Sequence, residues 1–303
     1  MNLVITLTFK ILILVIIGYI AKVIGIIDDV GKDTLSSLLV NLFLPVSMIA
    51  SSQQKFDITH LRGVASVALI ALIYYIITFL IGRIIARICG MDTNKSAMFI
   101  LLIAFANTGF VGMSVLTELI GETGTLYGAI YNSVFDILYF SYGISIISSE
   151  GRFDRGKIIK NPMIWIAIIT TILYVIPYRM PAVMTDSLNL VGNCMMPVSM
   201  IIIGAEIANM NIRQVLTDKA SYGVSLIRML IIPSITLGIM KLFNVNYEVM
   251  VTATILAAMP SGSLNVIMGQ KYNNNAQFAV KVVMQNTIIM IVTLPIFAYI
   301  IMR

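Results

Sequence analysis

Asn41-Leu-Phe-Leu-Pro45-Val-Ser-Met-Ile49 returns as Asn193-Cys-Met-Met-Pro197-Val-Ser-Met-Ile201, an offset of 152 positions (41 to 193) in a chain of 303. Apolar segments resemble one another by chance, but here Asn, Pro and Ser also stay in register. An offset of half the chain makes this a repeat of two halves. The composition names the medium: 59% of residues are apolar, 11% are charged and the mean hydropathy is +0.96. An average soluble chain carries about 25% charged residues. So few charges cannot cover a water-facing surface, which excludes a soluble enzyme, a disordered chain and a disulfide scaffold. At about 30 residues per helix and loop, the length leaves room for roughly ten membrane spans.

Ten apolar runs are long enough to cross the hydrocarbon core: 3–25, 33–52, 61–88, 95–118, 125–149, 161–178, 185–209, 218–243, 247–270 and 274–302. They must be helices, because lipid-facing backbone cannot stay unpaired and no barrel-like alternation is present. The fold expected is an all-α polytopic membrane protein. The first run lacks a small-residue cleavage site and is expected to stay as a span. Lys22, Lys32, Arg83, Arg87, Lys95, Arg152, Arg155, Lys157, Lys160, Arg213, Lys219 and Lys271 lie in the odd-numbered loops. Only Lys55, Arg62, Arg179, Lys241 and Arg303 lie opposite. This asymmetry puts the odd loops in the cytoplasm and both termini outside, in a plasma (inner) membrane. The net charge of +6 therefore reports topology, not nucleic acid.

The repeat divides the chain into residues 1–149, a short basic cytoplasmic connector at 150–160, and residues 161–303. Each half holds five spans, an odd number, so the second copy enters with reversed orientation. A five-plus-five inverted-topology repeat is a building plan of secondary transporters. The same offset aligns two interruptions. The fourth span carries Asn107-Thr108-Gly109-Phe110-Val-Gly112, and the ninth carries Met259-Pro260-Ser261-Gly262-Ser263-Leu-Asn265. Pro260 removes a backbone donor, and Gly109 and Gly262 ease non-helical backbone. Irregular backbone at membrane depth is tolerated where it is buried or lines a cavity. Matched interruptions in corresponding spans point to a transporter's binding site. Pro45 and Pro197 read as structural bends near a helix interface.

These segments, with the Leu44-Pro45 span, the run to Gln270-Lys-Tyr272 and Thr293-Leu-Pro295, resemble the auxin efflux carrier family, including its bacterial PIN-like members. The resemblance covers the whole chain. It implies that the fourth and ninth spans are broken and cross each other. It further implies that spans 1, 2, 6 and 7 form a scaffold, with a homodimer contact through spans 2 and 7, while spans 3–5 and 8–10 move as an elevator. Its implied substrates are small organic anions such as auxin-like carboxylates and dicarboxylates. Ser114 departs from the proline many members have there. The connector is too short for the phosphorylation control of the long plant carriers.

A broken helix brings a half-helix N-terminus, with its partial positive charge, into the membrane. Backbone donors at Phe110, Val111, Ser261, Gly262 and Ser263, with the side chains of Asn107, Thr108, Ser261, Ser263 and Asn265, suit a carboxylate. Asp136 and Arg228 fall in the middle third of their spans, where charge is costly and is a functional candidate or half of an ion pair. Lys281 sits nearer the cytoplasmic side, where it can snorkel, and is a third charge or coupling candidate. Asn132, Gln285 and Asn286 are polar neighbours in the spans that follow the interruptions. No cofactor is implied: the phosphate-binding pattern G-x-x-x-x-G-K-[ST] is absent. His60 is the one histidine, Cys89 and Cys194 lack metal spacing, and the methionines are scattered, so no metal site is expected. Ser261 and Ser263 have no histidine to activate them, so no catalytic residues are expected. Two alternatives stand beside the organic-anion carrier: a sodium-coupled symporter similar to the bile-acid symporters, and a membrane sensor that binds such a ligand without moving it.

Overall fold

The computed structural model describes residues 2–53, 58–148, 162–176, 179–209 and 219–302. The basic connector expected at 150–160 lies outside these residues. In chain order the α-helices are α1 (Asn2–Val23), α2 (Asp29–Leu38), α3 (Leu44–Ser51), α4 (Ile58–Ile88), α5 (Thr93–Ala104), α6 (Met113–Leu138), α7 (Ile144–Ile147), α8 (Pro162–Val175), α9 (Ala182–Gly192), α10 (Met195–Ala208), α11 (Lys219–Leu226), α12 (Ile232–Leu242), α13 (Tyr247–Ala257), α14 (Ser263–Lys271) and α15 (Ala276–Ile301). No strand forms among the described residues; one isolated antiparallel bridge joins Ala106 to Ser261. Among the described residues, six helical stretches are long and apolar enough to span a membrane: Asp29–Ser51, Leu61–Ile88, Met113–Ile147, Ala182–Ala208, Ser221–Leu242 and Ala276–Ile301. The helices α5 and α13 are apolar but short, because each stops at an interruption.

Prolines shape several of these helices. A proline ring collides with the carbonyl four residues back and offers no N–H. Ahead of Pro45 and Pro233 the helix widens into π turns at Leu39–Phe43 and Ile227–Ile231, with Leu44 N–H bonded to Leu39 O and Ile232 N–H to Ile227 O. The widened turn moves backbone away from the ring while keeping its hydrogen bonds. The repeat partner of Pro45 behaves differently: the chain breaks at Asn193–Cys194, and Pro197 sits in the first turn of α10, where a missing donor costs least.

The connection between the fourth and fifth sequence runs is tighter than the gap expected at 119–124. It is a sharp kink at Ile120 and Gly121, with Gly121 at φ +59° and ψ −141°, a conformation only glycine adopts without strain. Elsewhere glycine serves close approach. A methyl at Gly18 would overlap the carbonyl of Ile201, and one at Gly204 the carbonyl of Val15. The helices α1 and α10 therefore meet backbone to backbone, the small-residue packing typical of membrane helices. Where this seam faces away from protein, α1 exposes Phe9, Ile13, Ile16 and Ile20, an apolar surface suited to lipid.

Candidate functional site at two paired helix interruptions

The two interruptions predicted from the sequence meet in space. Helix α5 ends at Ala104, and Phe105 and Asn107 leave helical geometry before a π turn at Thr108–Gly112 restarts the helix into α6. Helix α13 ends at Ala257, and α14 restarts at Ser263 after an extended Gly262. Asn107 N–H donates to Pro260 O at 2.7 Å, and Gly262 N–H donates to Phe105 O at 3.0 Å. Each non-helical segment thus supplies part of the backbone partnering that the other has lost. This is how irregular backbone survives where water is excluded.

Side chains satisfy most of the rest. Leu102 O accepts from Ser261 Oγ at 2.6 Å, and Phe105 O accepts a second bond from Asn265 Nδ2 at 3.0 Å. Ser261 Oγ in turn accepts from Asn286 Nδ2 at 2.9 Å. Ser261, Asn265 and Asn286 are all fully buried. Gly262 N–H and the Ser261 hydroxyl, expected as donors to a ligand, are therefore committed to the backbone of α5. The reason is plain: a helix that stops inside a membrane leaves carbonyls that must find donors.

Arg228 does the same work on both helices. Its Nη1 donates to Ile103 O at 3.0 Å, its Nε to Met259 O at 3.1 Å and its Nη2 to Leu256 O at 3.4 Å. A further bond runs from Nη1 to the Tyr74 hydroxyl. Ile103 O lacks its helical partner because Asn107 N–H has turned to Pro260. Leu256 O loses its i+4 donor because Pro260 has no N–H, and keeps a long bond from Met259 N–H at 3.4 Å. No carboxylate stands within ion-pair distance of Arg228 among the described residues, so a pairing with Asp136 is not formed.

Asp136 occupies a different place. With Asn132 and Ser133 from α6 it lines a small cavity walled by Leu44, Met48, Met113 and Ala129, with room for at most about one water molecule. Asn132 links this cavity to the first interruption: its Oδ1 accepts from Thr108 Oγ1 at 2.6 Å, while its Nδ2 donates to Gly128 O. Asn107 and Gly109 are half-buried beside this pair. Gly109 is close enough that an added methyl would lie 3.8 Å from Asn132 Oδ1. Val111 is buried, and the side chain of Phe110 lies outside the described residues. Ser263 and Lys281 are half-buried. Gln285 is buried and accepts from Ser225 Oγ at 2.5 Å.

The sequence singled out the two interruptions but not all that holds them. Tyr74 and Ser225 enter from α4 and α11, and the Ser199–Ser114 bond at 3.1 Å ties α10 to α6. Polar side chains in otherwise apolar runs were the available signal. Their partners, 60 to 154 positions away, were not readable. Three buried polar atoms close to the interruptions have no hydrogen-bond partner among the described residues: Asn265 Oδ1, Asn286 Oδ1 and Gln285 Nε2.

The chain is similar over its length to proteins described as transporters. An uncharacterized transporter of Methanothermobacter thermautotrophicus is 24% identical over 296 residues, covering 95% of each chain. Another, from Methanocaldococcus jannaschii, is 25% identical over 279 residues, covering 86% of this chain and 87% of its own. The uncharacterized transporter YfdV of Escherichia coli K12 is 20% identical over 307 residues, with 96% and 95% covered. The family described as membrane transport protein matches residues 3–155 and 151–298. With its apolar helices and its two paired interruptions, the chain is an integral membrane protein that belongs to this membrane transport protein family, the auxin efflux carrier family.

Proposed function

We propose that this protein carries small organic anions across the inner membrane by alternating access, without enzymatic chemistry. The chain is read as ten spans in two inverted five-span halves, with the fourth and ninth spans crossing at the Ala106–Ser261 bridge. One observation carries the reading: two helices interrupted at equivalent places share their backbone hydrogen bonds there, and two half-helices start from that place. The half-helices beginning at Thr108 and Ser263 direct positive ends and unpaired N–H groups into one region. The ligand groups on this reading are Asn107, Thr108, Gly109 and Asn132, with Phe110 and Ser263 beside them. Pro260, Ser261, Gly262 and Asn265 build the frame.

An elevator motion fits the packing. Spans 1 and 7 are locked by the glycine seam of α1 and α10, and α3 packs on α8 and α9, which suits a static scaffold. The cavity with Asp136 lies between α3 of that scaffold and α6 of the moving part. Exposed Val183, Met184 and Leu190 on α9 leave the seventh span an apolar face for a dimer contact. A sodium-coupled version is favoured by the two buried amide oxygens of Asn265 and Asn286 that lack donors, since such oxygens suit a hard cation.

The test is flux in proteoliposomes with a panel of monocarboxylates and dicarboxylates, varying sodium, pH and voltage independently. Saturable carboxylate flux that falls in Asn107→Ala at unchanged expression is the expected result. Binding without flux makes the protein a sensor, and no carboxylate dependence ends the reading. Flux that collapses without sodium selects the coupled version.

A further inference from the structure

We propose that Arg228 is the residue that sets the charge preference of the site, by cancelling the negative ends of α5 and α13 while touching no ligand. This rests on the anion-carrier reading and adds a positioning residue to it. Two interrupted helices bring four half-helix ends to one place. The ends of α5 and α13 are C-terminal and carry about half a negative charge each; the starts at Thr108 and Ser263 are N-terminal and carry about half a positive charge each. With those four ends alone the region is close to neutral, and an anion and a neutral solute meet no net difference.

Arg228 changes that balance. Its guanidinium is fully buried, and its partners are the carbonyls of Ile103, Leu256 and Met259 and the Tyr74 hydroxyl. Those carbonyls are the atoms that carry the negative ends. One full positive charge set on two half-charges of opposite sign leaves the two N-terminal ends no longer offset by the C-terminal ends of α5 and α13. The planar fork also matters, because one side chain reaches carbonyls on both helices at once. Lysine can replace the charge but not the fork. Two effects therefore separate by chemistry: the charge sets preference, and the fork sets the rigidity of the pairing.

The experiment compares wild type, Arg228→Lys and Arg228→Met in proteoliposomes with succinate and its neutral diamide, succinamide, as probes. Thermal unfolding in detergent checks each variant's fold. Wild type is expected to prefer succinate. Arg228→Met is expected to lose that preference by about tenfold, the scale of a buried helix-end charge, with succinamide flux retained. Arg228→Lys is expected to melt earlier yet keep the preference. A folded Arg228→Met that still prefers succinate as wild type does overturns the inference and leaves the carrier reading standing. If Arg228→Met does not fold, Arg228→Lys decides: a folded lysine variant that has lost the preference overturns the inference, and one that keeps it supports it. Wild type that moves neither probe selectively sinks the carrier reading and this inference with it.

Discussion

Replacing Ser261 with alanine separates a frame residue from a ligand residue. The hydroxyl is fully buried and makes two bonds, donating to Leu102 O at 2.6 Å and accepting from Asn286 Nδ2 at 2.9 Å. Its removal leaves a buried carbonyl without this donor and a buried amide without this acceptor. An unsatisfied buried polar group costs about 1–3 kcal/mol. Interhelical hydrogen bonds in membranes measure lower, about 0.6 kcal/mol on average and about 1.7 at most. Two lost bonds therefore sum to about 1–3 kcal/mol, with little cavity cost because a single oxygen is removed. The assay is reversible unfolding in mixed micelles, run beside Ser263→Ala as control. Ser263 is half-buried and its side chain makes no hydrogen bond among the described residues, so its replacement is expected to stay within about 0.5 kcal/mol of wild type. If Ser261→Ala is as stable as the control and only raises KM, Ser261 faces the ligand and the frame argument is wrong.

Two further outcomes follow from packing and charge. Gly204→Val forces a side chain into the carbonyl of Val15 and is expected to destabilise by about 1–3 kcal/mol or more. Gly223→Ala, with open space around it, is expected to be neutral or slightly stabilising in the same thermal melt. Asp136→Asn keeps the shape of the cavity wall while removing the charge. Because a carboxylate beside the path opposes an anion, the asparagine variant is expected to carry a carboxylate faster than wild type. Flux of a neutral solute is expected to stay as in wild type, and carboxylate flux equal to wild type removes Asp136 from the path.

Much of the architecture could be read locally. Apolar run length gave the helices, and Pro260 with Gly109 and Gly262 marked the interruptions, because missing donors and relaxed backbone leave a signature within a few residues. The π turns follow from Pro45 and Pro233 by the same logic. The kink at Gly121 looked like an ordinary loop, since one positive φ needs only one glycine. The interruptions were legible in place, but the partners of their side chains were not. Ser261 and Asn265 read as groups for a ligand and Arg228 as a charge or coupling candidate or half of an ion pair, and all three bond carbonyls 125 to 160 positions away. A side chain bonded to distant backbone imposes no pattern on its own segment. The depth of Arg228 in its run flagged it; what it touches depends on where α5 and α13 stop.

The shared bridge bears on how the chain is made. When α5 first enters the bilayer, the donors for Leu102, Ile103 and Phe105 carbonyls have not been synthesised: Arg228 follows Ile103 by 125 residues, and Asn265 follows Phe105 by 160. At about 5–20 residues per second that is a wait of about 6–32 seconds, with polar backbone held near lipid. The first half must spend it shielded by the insertion machinery or by water, and it becomes a finished structure only when the second half arrives. Severing the chain at its midpoint therefore yields two pieces that need each other, not two autonomous bundles.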